Sequence, residues 1–148
     1  MKDENIRRPG ILPRNFAGLD YSRLQKAKIA EAAVMLRLVL QGFCPFGSVF
    51  DGDKTDWLVE IPQTGKVLKI QVKWAKGTKD IGLPLVNLQC AEGASGIRRY
   101  KKGEFDFIVG YVLFTDTAYV WSWNEVEHLK TSVSICTEAA EQWKKLLV

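Results

Sequence analysis

The sequence has few of the residues on which several large enzyme classes depend. It contains a single histidine, His128, and three cysteines, Cys44, Cys90 and Cys136, in 148 residues. One histidine, with no GxSxG, Walker or GxGxxG pattern, leaves Ser-His-Asp chemistry and nucleotide cradling without support. We expect His128 to be a surface residue or one whose hydrogen bonds are satisfied. Because the cysteines are odd in number and widely spaced, we interpret them as small buried side chains rather than a disulfide framework or zinc site.

Long hydrophobic runs are also missing. Charged residues interrupt every apolar stretch well before the roughly 18 residues that a membrane helix needs, and the N-terminal MKDENIRRPG has no apolar segment of the kind found in signal peptides. We therefore expect a cytoplasmic protein. A hydrophobic content of 47% and a charged content of 26% are ordinary for a globular chain. We predict a basic N-terminal arm over residues 1–19 and a single domain over residues 20–148.

The positive charge is small in total but unevenly distributed. The net charge is +4, and the basic residues form three groups, which are Arg7, Arg8 and Arg14; Lys66, Lys69, Lys73, Lys76 and Lys79; and Arg98, Arg99, Lys101 and Lys102. Groups of this kind suit a phosphate backbone. A solvated basic face would give the same pattern, so charge alone does not decide between the two interpretations.

The pattern of the first half predicts one helix followed by strands. Ser22 with Gln25 three residues later has the form of a capping box, and Gly42 stands where the helix should end. The apolar stripe of this helix is predicted to include Leu24, Ala27, Val34 or Met35, and Leu38, with Glu31 inside it. Residues 43–50, FCPFGSVF, are typical of an edge or bent strand.

A hairpin is predicted next, with residues 57–61 and 66–74 as strands and Pro62-Gln63-Thr64-Gly65 as its loop. This loop places Glu60 opposite Val67 and Asp56 opposite Gln71. Because strand residues alternate between faces, Gln71 and Lys73 share one face with Asp56. A shift of one residue would move Asp56 to the other side.

The second half predicts further strands and then helices. Residues 83–90 are predicted to be a strand, 95–104 a basic loop or short helix, and 105–114 with 118–124 a second hairpin. Asn124 is predicted to cap a helix over EVEHLK, and Thr137 a helix over EAAEQWKKLL. Asp106 is interpreted as structural, and Tyr100 is left undecided. The fold class is α/β or α+β, with a central mixed β-sheet flanked by the first and last helices.

Oxygen ligands and one lysine make up the candidate chemistry. Glu31, Asp56, Gln71 and the carbonyl of Val72 are donors that Mg²⁺ prefers, and Mn²⁺ accepts a similar set. A hard cation held there polarises a phosphodiester, while the ammonium of Lys73 offsets charge on the phosphoryl oxygens. Each residue also has a plain structural interpretation, since Asp56 could cap a turn, Glu31 could pair with Lys28, and Lys73 could be a solvated strand residue.

The stretches AEAAVMLRLVLQGF, TDWLVEI and KIQVKWAKG, residues 30–43, 55–61 and 69–77, resemble the PD-(D/E)XK nucleases. They are similar in particular to the group I intron-encoded homing endonucleases of cyanobacteria. The resemblance extends from about Glu31 through residues 100–114. It implies a restriction-endonuclease-like core, a homo-oligomer, and Mg²⁺-dependent cleavage of double-stranded DNA. It places the helix acid at Glu31, the motif aspartate at Asp56, the second acid at Gln71 and the motif lysine at Lys73.

Two positions depart from the family pattern. Thr55 stands where the family name has proline, a position that shapes the start of the strand. Gln71 stands where the family has Asp or Glu, and a neutral amide oxygen holds a cation less tightly than a carboxylate. If Glu31 restores the lost charge, the site is catalytic. If it does not, the fold is a DNA-binding module with a degenerate metal site.

DNA cleavage carries further expectations. One active site cuts one strand, so a double-strand break needs at least a dimer, and a tetramer is a natural extension. The predicted DNA contacts are Arg7, Arg8, Arg14, Lys76, Lys79, Arg98, Arg99, Lys101 and Lys102. The leading hypothesis is a site-specific homing endonuclease of a bacterial cytoplasm, associated with the nucleoid when it acts. The alternatives are a Holliday-junction-type resolvase, a non-catalytic DNA-binding module and a purely structural protein.

Overall fold

The computed structural model of the protein describes residues 20–47, 54–78 and 82–148. In chain order the elements are α1, Arg23–Leu40; β1, Pro45–Gly47; β2, Trp57–Glu60; β3, Val67–Trp74; β4, Lys76–Thr78; β5, Gly82–Asn87; β6, Gln89–Glu92; β7, Gly96–Arg99; β8, Phe107–Val112; β9, Thr117–Ser122; α2, Trp123–Val126; β10, Ser132–Ser134; and two 3₁₀ helices, Thr137–Ala139 and Trp143–Leu147. No helix of these described residues is long and apolar enough to span a membrane.

The central sheet is mixed, as the sequence predicted. Its five strands are ordered β1-β2-β3-β8-β9. Strands β3 and β8 are parallel, and the other neighbouring pairs are antiparallel. The edge position of β1 confirms the prediction for residues 43–50 as far as the chain is described, because residues 48–50 lie outside the described part. A mixed sheet with helices makes this an α+β fold.

Helix α1 begins as its capping box predicts. The Ser22 hydroxyl accepts the backbone N–H of Gln25 at 3.2 Å, and the Gln25 side chain accepts the backbone N–H of Ser22 at 2.8 Å. The helix ends before Gly42, whose φ of 90° lies in the left-handed region that favours glycine. This geometry confirms both predicted ends of the helix.

The apolar stripe predicted for α1 is only partly right. The buried residues of the helix are Ala30, Val34, Arg37 and Leu38, whereas 69% of Leu24 is exposed. The stripe is displaced because a buried ion-pair network draws the guanidinium of Arg37 inward, a contact with residues about 80 and 100 positions away. No helical periodicity could have indicated such a contact.

The sheet separates two hydrophobic clusters. The first joins α1 residues to Val109 and Val120, and it also contains Trp143 and Leu146. The second contains Ile108 and Trp121 with β5 and C-terminal residues. Neighbouring residues of β8 and β9 thus enter opposite clusters, because successive strand side chains point to opposite faces.

The predicted β2–β3 register is confirmed. Glu60 pairs with Val67 and Leu58 with Lys69, and the backbone N–H of Ile61 bonds to the carbonyl of Lys66 at 2.8 Å to close the turn. The backbone N–H of Asp56 donates to the carbonyl of Ile70 at 3.0 Å, which extends the ladder one step beyond β2. Asp56 is therefore fixed at the side of β3.

The region between the two hairpins differs from its prediction. The strand predicted over residues 83–90 is divided at Leu88, which is buried and donates its backbone N–H to the carbonyl of Thr131 instead of continuing a ladder. Strands β5 and β6 consequently belong to different small sheets. Within the predicted basic loop or helix, residues 96–99 instead form strand β7, paired with β6 from Gln89–Arg99 to Glu92–Gly96, whereas residues 100–104 form a loop as predicted.

The C-terminal helices are present but shorter than predicted. The N-cap of α2 is Ser122 rather than Asn124, and α2 is a single turn. The helix predicted after Thr137 is interrupted because Glu141 adopts φ of 52° and Ala140 bridges to Tyr119. These tertiary contacts override a favourable helical pattern, so the chain forms two short 3₁₀ helices there.

His128, the three cysteines and Asp106 were also assigned from the sequence. His128 is exposed, as expected. Of the cysteines only Cys90 is buried, whereas Cys44 and Cys136 are exposed because each lies in a connecting segment near an element end. Asp106 is structural, since its carboxylate accepts the backbone N–H of Lys69 at 2.8 Å and ties the chain before β8 to β3.

Candidate active site

The β2–β3 hairpin brings Asp56 and Gln71 into direct contact. The carboxylate oxygen Oδ2 of Asp56 accepts the Nε2 amide of Gln71 at 2.7 Å and the backbone N–H of Val72 at 2.6 Å. Lys73 follows on the same strand, so the register supplies three of the four predicted side chains. The convergence predicted from the four-residue turn is present in the structure.

Burial dominates the chemistry of Asp56. Removal from water, with a smaller contribution from the negative charge of Glu31, raises the pKa of this carboxyl to about 6. The backbone N–H of Val72 and the charge of Lys73 act in the opposite direction. A carboxyl in this state gains from any nearby cation, because a positive charge favours its ionised form.

Gln71 is almost completely buried, with 6% of its surface exposed. Its Nε2 donates to Asp56 and also to its neighbour's carbonyl, that of Val72, at 3.2 Å. Its Oε1 is buried and has no hydrogen-bond partner among the described residues. An unsatisfied buried oxygen costs free energy, and such groups in native structures commonly mark a site for an ion or water.

Lys73 is held beside the pair from two directions. Its Nζ donates to the carbonyl of Gln89 at 3.4 Å and lies 5.1 Å from the centre of the Tyr100 ring. Burial lowers the pKa of the ammonium, and the charge of Asp56 opposes that shift. The ammonium group of Lys73 is therefore oriented by the carbonyl of Gln89 in β6 and by the ring of Tyr100, the residue after β7.

Glu31 approaches from α1. Its carboxylate pairs with Lys28 at 3.0 Å with 22% of the side chain exposed, so the predicted pairing with Lys28 is present. The backbone carbonyl of Glu31 accepts the indole N–H of Trp57 at 3.1 Å, which anchors α1 to the first residue of β2. Because its charge acts on Asp56, Glu31 lies within electrostatic reach of the site.

These donors fit a hard divalent cation. Among residues 20–47, 54–78 and 82–148, no group of three or more His, Cys, Asp or Glu side chains could hold a metal. The carboxylate of Asp56, the carbonyl of Val72 and the orphan amide oxygen of Gln71 nevertheless form an oxygen set, and Mg²⁺ needs few protein oxygens because it keeps several waters.

Thr55 stands where the family name has proline, and its side chain makes a structural hydrogen bond that proline cannot make. Its hydroxyl donates to the carbonyl of Glu104 at 3.0 Å, which ties the start of β2 to the turn before β8. Glu104 in turn binds Arg98 through two hydrogen bonds. The segment leading into Asp56 is thus fixed by tertiary contacts where proline would restrict the backbone directly.

The predicted DNA contacts are placed unequally. Arg7, Arg8, Arg14 and Lys79 lie outside the described residues. The side chains of Lys76, Lys101 and Lys102 are exposed. Arg98 is paired with Glu104, and Arg99 donates to the carbonyl of Val126 at 2.6 Å and stacks on Trp123. The exposed lysines are available to phosphate, whereas the two arginines already have intramolecular partners.

The sequence did not indicate that Lys54 and Arg23 lie near the site, and it left the role of Tyr100 undecided. The positive charges of Lys54 and Arg23 act on Lys73 and lower its pKa. Lys54 also donates to the carbonyl of Ala91 at 3.0 Å, and Tyr100 supplies the ring beside Lys73. The position of Lys54 two residues before Asp56 was the available signal, whereas the contribution of Tyr100 depends on the β6–β7 fold.

Comparisons with known proteins identify the family and the fold. A family model described as PD-(D/E)XK endonuclease matches residues 21–147. Among solved structures, the bacterial homing endonuclease I-Ssp6803I superposes with a TM-score of 0.76 at 20% sequence identity, covering 86% of this chain and 94% of that one. No curated protein sequence matches the chain. At this identity the structural likeness establishes the fold.

Proposed function

Since the chain belongs to the PD-(D/E)XK endonuclease family, we propose that it hydrolyses phosphodiester bonds of double-stranded DNA at specific sites. We further propose that it is a group I intron homing endonuclease that uses Mg²⁺, with Mn²⁺ as a substitute. The observation that carries the proposal is the meeting of Asp56, Gln71 and Lys73 on one hairpin.

The residues of the candidate site are proposed to have two roles, which are cation binding and charge stabilisation. The oxygens of Glu31, Asp56, Gln71 and Val72 would hold the cation, which would polarise the phosphodiester and activate a water. Lys73 lies on the same strand face, where its ammonium offsets negative charge that develops on the phosphoryl oxygens. Partial burial strengthens this interaction, because a lower effective dielectric increases electrostatic attraction.

DNA binding is proposed to use the exposed lysines and the basic arm. Lys76, Lys101 and Lys102 would contact phosphates, with Arg7, Arg8, Arg14 and Lys79 adding further positive charge. Arg98 and Arg99 remain proposed contacts, through the guanidinium N–H groups that do not bond to their intramolecular partners. Base reading in the major groove requires additional Arg, Lys, Asn or Gln side chains.

A double-strand break requires more than one copy of the site. We propose a homo-oligomer, at least a dimer and in its larger form a tetramer, because each site cuts a single strand. The protein is proposed to act in a bacterial cytoplasm on nucleoid DNA. Sedimentation of the protein with and without a duplex would measure the number of copies.

The test is cleavage of a plasmid library with random inserts in the presence of Mg²⁺, followed by sequencing of the cut ends. The native protein should produce ends that share one sequence. Lys73→Ala should abolish cutting, whereas Lys144→Ala removes the same charge at an exposed position of the last 3₁₀ helix and should cut normally. Equal cutting by the Lys73→Ala variant would reject this site.

A non-catalytic DNA-binding module is the second candidate, favoured by one observation. Gln71 places a neutral amide where the family has a carboxylate, and that amide already satisfies Asp56 without a cation. This candidate predicts equal duplex affinity in EDTA and Mg²⁺ with no cut product in Mg²⁺ or Mn²⁺. Cleavage that requires Lys73 would exclude it.

A further inference from the structure

The amide of Gln71 lies between two acceptors. Its Nε2 is 2.7 Å from the carboxylate of Asp56 and 3.2 Å from the carbonyl of Val72. Neither group can donate a hydrogen bond when Asp56 is ionised, so their chemistry requires the N–H side of the amide to face them. The orientation of this buried amide therefore follows from its neighbours.

The same orientation leaves the other end of the amide unsatisfied. Oε1 of Gln71 is buried and accepts no hydrogen bond from the part of the chain that the structure describes, whereas the carboxylate of Asp56 and the carbonyl of Val72 each accept one from Nε2. Turning the amide over would bring Oε1 to the two oxygens and create repulsion, unless a cation lay among them. The amide oxygen of Gln71 is thus available as a ligand for a cation.

We propose that Nε2 of Gln71 takes the position of a divalent cation between Asp56 and Val72, and that cation binding turns the amide so that Oε1 becomes a ligand. This inference rests on the proposed function, since it concerns the same site. The amide N–H groups act as a neutral substitute for the ion, which explains why a nuclease site can carry glutamine at this position.

Competition with the amide has a measurable consequence. A cation must displace two hydrogen bonds of Gln71 before it gains the oxygen, so binding to the native protein is weaker than to a site with a carboxylate there. Glutamate at this position has no donor to lose and adds a negative charge beside Asp56. Without a cation, the same charge repels Asp56 and destabilises the fold.

The direct measurement is the side-chain amide resonance of Gln71 in full-length ¹⁵N-labelled protein, assigned by its loss in Gln71→Met. Titration with Mg²⁺ alone should shift both amide protons upfield, because they lose their acceptors. Mg²⁺ that binds, by calorimetry, while these resonances stay in place would overturn the inference and leave the proposed nuclease function standing.

Two charge variants supply the second measurement. Gln71→Glu should bind Mg²⁺ about tenfold more tightly or better, since carboxylate count sets affinity for hard cations, and should melt at a lower temperature in EDTA. Gln63→Glu adds the same charge in the exposed β2–β3 turn and should change neither. Equal affinity of the native and Gln71→Glu proteins would overturn the inference.

The remaining outcomes separate this inference from the proposed function. No Mg²⁺ binding by either the native protein or Gln71→Glu overturns both. An amide that turns over on Mg²⁺ binding in a protein that cuts no DNA supports the inference and rejects the nuclease.

Discussion

The ammonium nitrogen of Lys73 lies 5.1 Å from the centre of the buried Tyr100 ring. A cation at this distance from an aromatic face is attracted by the ring's quadrupole. Lys73 comes from β3, whereas Tyr100 follows β7, so the contact joins the candidate site to the β6–β7 hairpin. Tyr100 is therefore a positioning residue for Lys73.

Replacing Tyr100 by leucine should slow DNA cleavage. Leucine removes the ring face, which is worth about 0.5–2 kcal/mol and corresponds to a roughly 2- to 30-fold lower kcat. Phenylalanine keeps the face, so Tyr100→Phe should retain native kcat. Both variants should keep native KM for the duplex, and single-turnover assays with unfolding curves would check this. A Tyr100→Phe variant as slow as Tyr100→Leu would contradict the role of the ring.

Positive charge at the 101–102 turn should control the salt dependence of DNA binding. Lys101→Ala with Lys102→Ala removes two exposed ammonium groups, and the slope of log K against log salt should fall by about 0.9 for each lost phosphate contact. Fluorescence anisotropy over a salt series measures the slope. The control is Lys130→Ala with Lys144→Ala, which removes two exposed charges elsewhere and should leave the slope unchanged.

Gly110 of β8 pairs with Lys73 of β3 in the parallel ladder. Because Gly110 has no side chain, β5 can pack closely on the central sheet at this point. A Cβ at this position would collide with the side chain of Val86. We expect Gly110→Ala to lower the free energy of unfolding by about 1–3 kcal/mol through overpacking. In a double-mutant cycle, Val86→Ala should relieve part of that loss, and urea unfolding measures the coupling. Strictly additive losses would show that the two residues do not clash.

Arg37 should be the most sensitive charged residue of the core. Its guanidinium bonds the carboxylates of Glu141 and Asp116, each at 2.9 Å, and lies 5.4 Å from the centre of the Tyr111 ring. Arg37→Ala removes the cation that the two carboxylates share, so unfolding should become about 3–5 kcal/mol easier. Arg37→Lys keeps the charge but not the forked geometry and should recover only part of the loss in urea unfolding.

Glu104 should give the protein a stability loss in acid. Its hydrogen bond with Arg98 lowers the pKa of the Glu104 carboxyl from 4.5 to about 2 in the folded state. A depressed pKa means that the contribution is fully present above the unfolded value and disappears as pH falls through the folded value. Stability should therefore decline between about pH 4.5 and 2, and Glu104→Gln should show a shallower decline in thermal melts over that range.

The sequence predicted the arrangement of the candidate side chains better than it predicted the structure of the regions around them. Asp56, Gln71 and Lys73 could be placed together because a four-residue turn and the two-residue period of a strand fix the register locally. Glu31 could be placed on a helix, because its capping residues lie within a few positions. The involvement of Tyr100 and Lys54 could not be predicted, since their approach depends on contacts between distant segments.

Short-range patterns thus determined α1, the two hairpins of the central sheet and the aligned polar face of β3, because their signals lie within one turn or one ladder. Only the tertiary structure decided that residues 96–99 pair as a strand, that two short 3₁₀ helices replace the predicted C-terminal helix, and that Arg37 is buried. The physical reason is the same in each case. Leu88, Glu141 and Arg37 satisfy their hydrogen bonds or charges with partners far along the chain, and the free energy of those contacts exceeds the local preference.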